Sequence, residues 1–166
     1  MAVDRGQGGQ LSLLVCRVGS RLCGLPLAHV VETMRPLPVE PLAHLPSFVE
    51  GLALIRGRPI PVLDARRLLG AAGEAGARTR FVTLQIAERL AALAVDSVLG
   101  VRSIDVSQLA QLPPLLRDTQ NDLVAALGTL DRELLLVLER SRLLPVALWA
   151  ALDNAAEVMP AEVMPP

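Results

Sequence analysis

The residues able to do chemistry are few and far apart. His29 and His44 stand fifteen positions apart, with no cysteine or carboxylate at metal-ligand spacing beside either. Cys16 and Cys23 flank Gly19-Ser20, and two cysteines make no disulfide framework. If that glycine-serine pair is a two-residue loop, the thiols face each other and behave as small buried apolar groups. Asp64 and Asp96 each close an apolar run, where a short carboxylate caps or turns the chain. No phosphate-binding glycine loop, dinucleotide fingerprint or serine-nucleophile motif is present. What remains is a pair of arginines, Arg56 and Arg58, around Gly57 inside the apolar stretch GLALIRGRPIPVLDARRLLG (51–70). Arginine set in apolar surface is a feature of protein interfaces. The chemistry expected is therefore recognition, with no catalysis and no cofactor.

Composition narrows the partners. The chain has 166 residues, 52% of them hydrophobic and 20% charged, with a net charge of −1. That supplies a real core and gives no general attraction for polyanions. Aromatics are 2% of the residues, too few for the stacking platforms that bind single strands. All 16 basic residues are arginine. No apolar run approaches the roughly 18 residues of a membrane span, and the N-terminus has no hydrophobic signal region. A cytoplasmic protein without membrane insertion is the expectation.

The elements that must position these residues are mostly strands. LSLLVCRV (11–18) and RLCGLPL (21–27) read as a hairpin with glycine first in its turn. AHVVETMR (28–35) reads as a short helix or irregular turn leading into the proline-broken segment 36–46. GLALI and PIPVLD form a second hairpin, and ARRLLG (65–70) one helical turn. After a Gly/Ala linker (71–77), strands return over 80–104 and 131–144. The segment 145–158 reads as a helix with Pro145 in its first turn. Residues 1–10 read as a flexible lead-in. Residues 159–166, within a tandem AEVMP repeat, read as a frayed tail.

The second set of strands repeats the first. RLCGLPLAHVV (21–31) aligns with RLAALAVDSVL (89–99), and RGRPIPVLDARRLL (56–69) with DRELLLVLERSRLL (131–144). The expectation is two similar units, about 11–70 and 80–144, each sized for a small closed barrel.

In this arrangement, residues 11–144 resemble the CheW-like domain of bacterial chemosensory systems. The resemblance rests on GLPLAHVVETMR, on PSFVEGLALIRGRPIPVLDARRLLG, on the valine-Asp-x-valine segment within LAALAVDSVLGVRSI, and on the closing hairpin DRELLLVLERSRLL. It implies an all-β protein with short helices, built as two intertwined five-stranded SH3-like barrels. It also implies a non-enzymatic adaptor that binds the cytoplasmic tip of chemoreceptors and the regulatory domain of the histidine kinase CheA. The receptor-binding positions carried over are Val30, Glu32, Gly51 and Arg56, with Arg58 and Arg66 as surface charges. The chain departs from the family pattern at Leu54, where asparagine is usual, at Ala125, where glycine is usual, and at Asp131-Arg132, where Asp-Gly is common. These departures imply the alternative of a divergent member that binds receptor and couples weakly or not at all to kinase. An SH3-like module for a small ligand or nucleic acid is the reading from another class, disfavoured by charge and aromatic content.

Overall fold

The computed structural model describes residues 9–70, 78–110 and 123–157. Among these residues ten strands follow one another as β1 (Gln10–Val18), β2 (Arg21–Pro26), β3 (Val30–Met34), β4 (Val49–Ile55), β5 (Arg58–Asp64), β6 (Arg80–Ile86), β7 (Arg89–Val95), β8 (Ser97–Asp105), β9 (Val124–Leu130) and β10 (Glu133–Leu138). A four-residue helix α1 (Ala65–Leu68) follows β5, and the longer α2 (Val146–Glu157) ends the described chain. Of the expected lead-in 1–10, residues 1–8 lie outside the described residues, and Gln10 already pairs with Asp105 in β1. The linker 71–77 and the tail 159–166 lie outside the described residues, as does Val158 of the expected helix.

Sheet A has the strand order β8-β1-β2-β10-β9 and sheet B the order β3-β6-β7-β5-β4. The segment 28–35, expected as a short helix or turn, is a single 3₁₀ turn (Leu27–His29) followed by the edge strand β3. Two-residue hairpins join β1 to β2, β4 to β5, β6 to β7 and β9 to β10. Cys16 pairs directly with Cys23 across the first of them, as the Gly19-Ser20 spacing predicts.

The repeat is real at the level of register. Val62 of β5 pairs in parallel with Ala92 of β7, and Val137 of β10 pairs in parallel with Gly24 of β2. These are matching positions of the two copies. Likewise Val30 pairs with Leu84, and Val98 with Cys16. The division at 70/80 is not, however, the division of the sheets. Each copy's first hairpin is completed by strands of the other copy: β1-β2 by β8, β9 and β10, and β6-β7 by β3, β4 and β5. The strands of sheet B therefore follow one another in the chain, within residues 30–64 and 80–95, and sheet A is assembled from strands within 10–26, 97–105 and 124–138.

Three apolar clusters follow from this exchange. Leu11, Leu13, Val15, Leu22, Leu135 and Val137 fill the inside of sheet A. Ala53, Ile55, Ile60, Val62, Phe81, Ala92 and Ala94 fill the inside of sheet B. The opposite faces meet in a third, larger cluster that takes Leu14, Cys16, Cys23 and Leu25 from sheet A and Leu52, Leu63, Val82, Leu84 and Leu93 from sheet B. Strands β1 and β2 are thus buried on both faces, which is why they read as near-continuous apolar runs. Each buried leucine or valine contributes roughly 1.5–3 kcal/mol. Helix α2 seals one flank of the central cluster with Leu152.

Candidate protein-interaction site

Glu32 lies on β3 and Arg56 at the tip of the β4-β5 hairpin. Strands β3 and β4 are the two edges of sheet B. The structure brings these distant positions together: Arg56 Nε and Nη2 donate to Glu32 Oε1 and Oε2 at 2.9 and 2.7 Å. A two-point guanidinium–carboxylate pair fixes orientation as well as distance. The Arg56 hydrogen bonds hold the Glu32 carboxyl below its usual range. The pair spans the open side of the sheet and draws its edges toward closure.

The backbone on both sides is shaped for this contact. Arg56 and Gly57 take φ of 52° and 75°, the two positive angles of a type I′ turn. At Glu32 the β3-β6 ladder shifts register. The buried Thr83 hydroxyl answers that shift: Glu32 N donates to Thr83 Oγ1 at 3.1 Å, and Thr83 Oγ1 donates to Glu32 O at 3.2 Å.

The other expected positions divide. Val30 is half-buried and packs on the central cluster. Gly51 is buried at φ 144°, and a Cβ there would lie 1.9 Å from Glu40 O. Its lack of a side chain lets Glu40 and Leu52 exchange two backbone hydrogen bonds, of 2.8 and 3.0 Å. Gly51 therefore builds the site's support and offers no surface. Leu54 pairs in register with Pro59 and leaves the Arg56-Gly57 turn regular. Asp131 and Arg132, in the β9-β10 turn of sheet A, both take positive φ, 48° and 69°. Ala125 is buried in β9. Arg58 is exposed.

Arg66 is not the surface charge expected. Its side chain is 15% exposed and meets Asp96, at 16%. Arg66 Nε donates to Asp96 Oδ1 at 3.1 Å, and Nη2 to Oδ2 at 3.1 Å. Gly19 N, in the β1-β2 turn of sheet A, donates to the same Oδ2 at 2.9 Å. Asp96 sits between β7 and β8, where the chain leaves sheet B for sheet A, so one carboxylate ties both sheets at the crossing. Asp64 behaves as expected, capping α1 by accepting from Arg66 N and Arg67 N.

Exposed aliphatics on the edge strands escaped the sequence reading. Paired residues on neighbouring strands point to the same face. Val101 pairs with Leu14 of the central cluster, so it stands on the inter-sheet face while 52% exposed. Val98 and Val30, matching positions of the repeat, pack on that cluster from β8 and β3. The seam between the sheets is thus margined by Val30, Val98 and the open Val101, with Leu99 and Val31 exposed alongside. The signal was the apolar VLGV at 98–101, whose exposure depends on β8 being an edge.

Among the described residues no helix is long and apolar enough to cross a membrane. Residues 12–147 match the family model of the CheW-like domain. The chain is 38% identical over 120 residues to Protein FrzA of Myxococcus xanthus, covering 69% of this chain and 73% of that protein. It is 25% identical over 145 residues to the Chemotaxis protein CheW of Klebsiella aerogenes, covering 87% of each. The fold is similar to that of the scaffolding protein TtCheW from Thermoanaerobacter tengcongensis, with a TM-score of 0.70 at 24% identity over 78% of this chain and 88% of that one.

Proposed function

This chain belongs to the CheW-like domain family, whose members are scaffolds of chemotaxis-type signalling, and from that membership we propose that it couples chemoreceptors to a CheA-type histidine kinase. The receptor tip, a helical hairpin, lies along the seam between the two sheets, in the helix-in-groove mode. Val30 and Val101 offer the apolar contact, and Glu32 and Arg56 the charges that set register. The observation that carries this reading is the Glu32–Arg56 pair. Glu32, two positions along β3 from Val30, is held at two points by an Arg56 side chain that remains 77% exposed. An apolar strip bordered by fixed charge is suited to orienting an amphipathic helix.

The departures at Leu54 and Asp131-Arg132 leave both hairpin turns in type I′ form, so full coupling to kinase is favoured over receptor binding alone. Co-purification with a receptor cytoplasmic fragment and, separately, with a kinase regulatory fragment tests both halves. Retention by each is expected. Glu32→Lys and Arg56→Glu should each weaken receptor retention by on the order of tenfold or more, with the melting temperature little changed. Unchanged retention in both variants overturns the site. Retention by receptor and none by kinase establishes the divergent member instead.

A further inference from the structure

The repeat supplies an internal template for a second site. In sheet A the turn residue Gly19 donates its N–H to the Asp96 carboxylate, and the Arg66 guanidinium holds that carboxylate from the other side. The matching turn in sheet B is Ala87-Glu88, and the position matching Asp96 is Ala28. Here the chain provides a guanidinium and a turn without the carboxylate. Arg140, one residue before the position matching Arg66, donates through Nη1 to Gln85 O at 2.6 Å. Gln85 matches Arg17, whose carbonyl accepts from Asp96 N in sheet A. No carboxylate among the described residues pairs with Arg140.

Beside this turn lies a cleft of about 620 Å³, walled by Ile86, Leu144, Val146 and Trp149 and flanked by Arg89 and Arg140. Val146 is 86% exposed at its rim. Trp149 is held in place by the Arg89 guanidinium, 5.0 Å from the ring centroid, and Arg89 Nη1 donates to Asp153 one helical turn further on. The tryptophan wall is therefore preformed. Arg89 is already engaged by Asp153, which leaves Arg140 as the cation facing an incoming group; Glu88 is the opposing charge on the rim.

We propose that this cleft docks an acidic peptide segment of a partner protein, one that presents a carboxylate to Arg140 and an adjacent aliphatic side chain to Trp149 and Leu144. The carboxylate stands in for the one absent at Ala28, the position that matches Asp96. The site is separate from the seam and does not depend on the receptor-binding reading.

Trp149 is the chain's single tryptophan, so its emission reports the cleft directly. The full chain is titrated with an acetylated, amidated hexapeptide Glu-Val-Leu-Glu-Val-Leu and with its glutamine twin. A saturable emission change is expected, at least about tenfold tighter for the glutamate peptide, as suits a hydrogen bond to a charged group. Arg140→Gln should abolish that preference, and Glu88→Gln, on the exposed rim, should tighten binding and keeps the test open if Arg140→Gln unfolds. No emission change at millimolar peptide, or equal affinity for the two peptides, overturns the proposal. Binding seen only in a chain ending at Glu157 also overturns it, because the cleft then belongs to the chain's own tail.

Discussion

Asp96 and Arg66 meet at the crossing between the sheets, and the carboxylate also takes the Gly19 N–H of the other sheet at 2.9 Å. Removing the carboxylate takes from a mostly buried guanidinium its two-point partner and from a turn amide its acceptor. Asp96→Ala should destabilise the protein by about 2–4 kcal/mol, read as a shift in the urea midpoint with little change in slope. Arg66→Ala should lose a comparable amount, and the double variant should lose less than the sum. Additive losses would show that the two residues do not act as a pair.

The β9-β10 turn asks two residues with side chains to hold positive φ, 48° at Asp131 and 69° at Arg132. The matching turn has glycine in the second place, at φ 75°. Arg132→Gly should therefore raise stability by about 1 kcal/mol, seen as a higher melting temperature. An unchanged or lower value would mean that Arg132 makes a compensating contact.

Gly51→Ala places a Cβ 1.9 Å from the Glu40 carbonyl oxygen at a backbone angle few side chains adopt. The Glu40–Leu52 bridge must open, at a cost of at least about 2 kcal/mol. Any loss of partner binding in this variant should track loss of fold by circular dichroism. A folded, equally stable Gly51→Ala protein with impaired binding would instead make Gly51 a contact residue.

Cys16 and Cys23 are buried opposite one another, and burial pushes both thiols up to about 12. Their folded values lie above the unfolded one of 9.0. The stability this burial confers is complete below pH 9 and is lost as pH rises from there toward 12. At pH 8 the native protein should give almost no reaction with a thiol reagent such as DTNB, and two equivalents once unfolded. Rapid native labelling would contradict the packed register.

Glu32 titrates below the usual carboxylate range because Arg56 donates to its ionised form. Its folded value is lowered, so the pair's support is present above the unfolded value and lost as pH falls through the folded one. An NMR titration of the Glu32 carboxyl should show the low midpoint, and Arg56→Gln should restore an ordinary one. A midpoint that ignores Arg56→Gln would mean that the salt bridge does not persist in solution.

Much of this was readable beforehand, and the limits have physical causes. Local spacing carried the hairpins, because a glycine turn between alternating apolar runs specifies its own register, as Cys16 and Cys23 show. The repeat carried the matching pairs Val62–Ala92 and Val137–Gly24. Which copy supplies each strand was not readable, since a strand's pattern is the same whichever neighbour it meets. Arg66 looked like surface because its partner lies 30 residues away and side by side only after the exchange. Glu32 and Arg56 entered through the family resemblance; no local signal joins residues 24 apart.

The exchange of strands also sets an order on synthesis. Every strand of sheet B has been made once Val95 is added, whereas β1 and β2, made first, wait for β8, β9 and β10 up to Leu138. A ribosome-bound chain halted between those points carries a finished sheet and an orphaned hairpin with both edges and much of its apolar surface open. That interval, and not the completed protein, is where chaperone demand and premature association are concentrated.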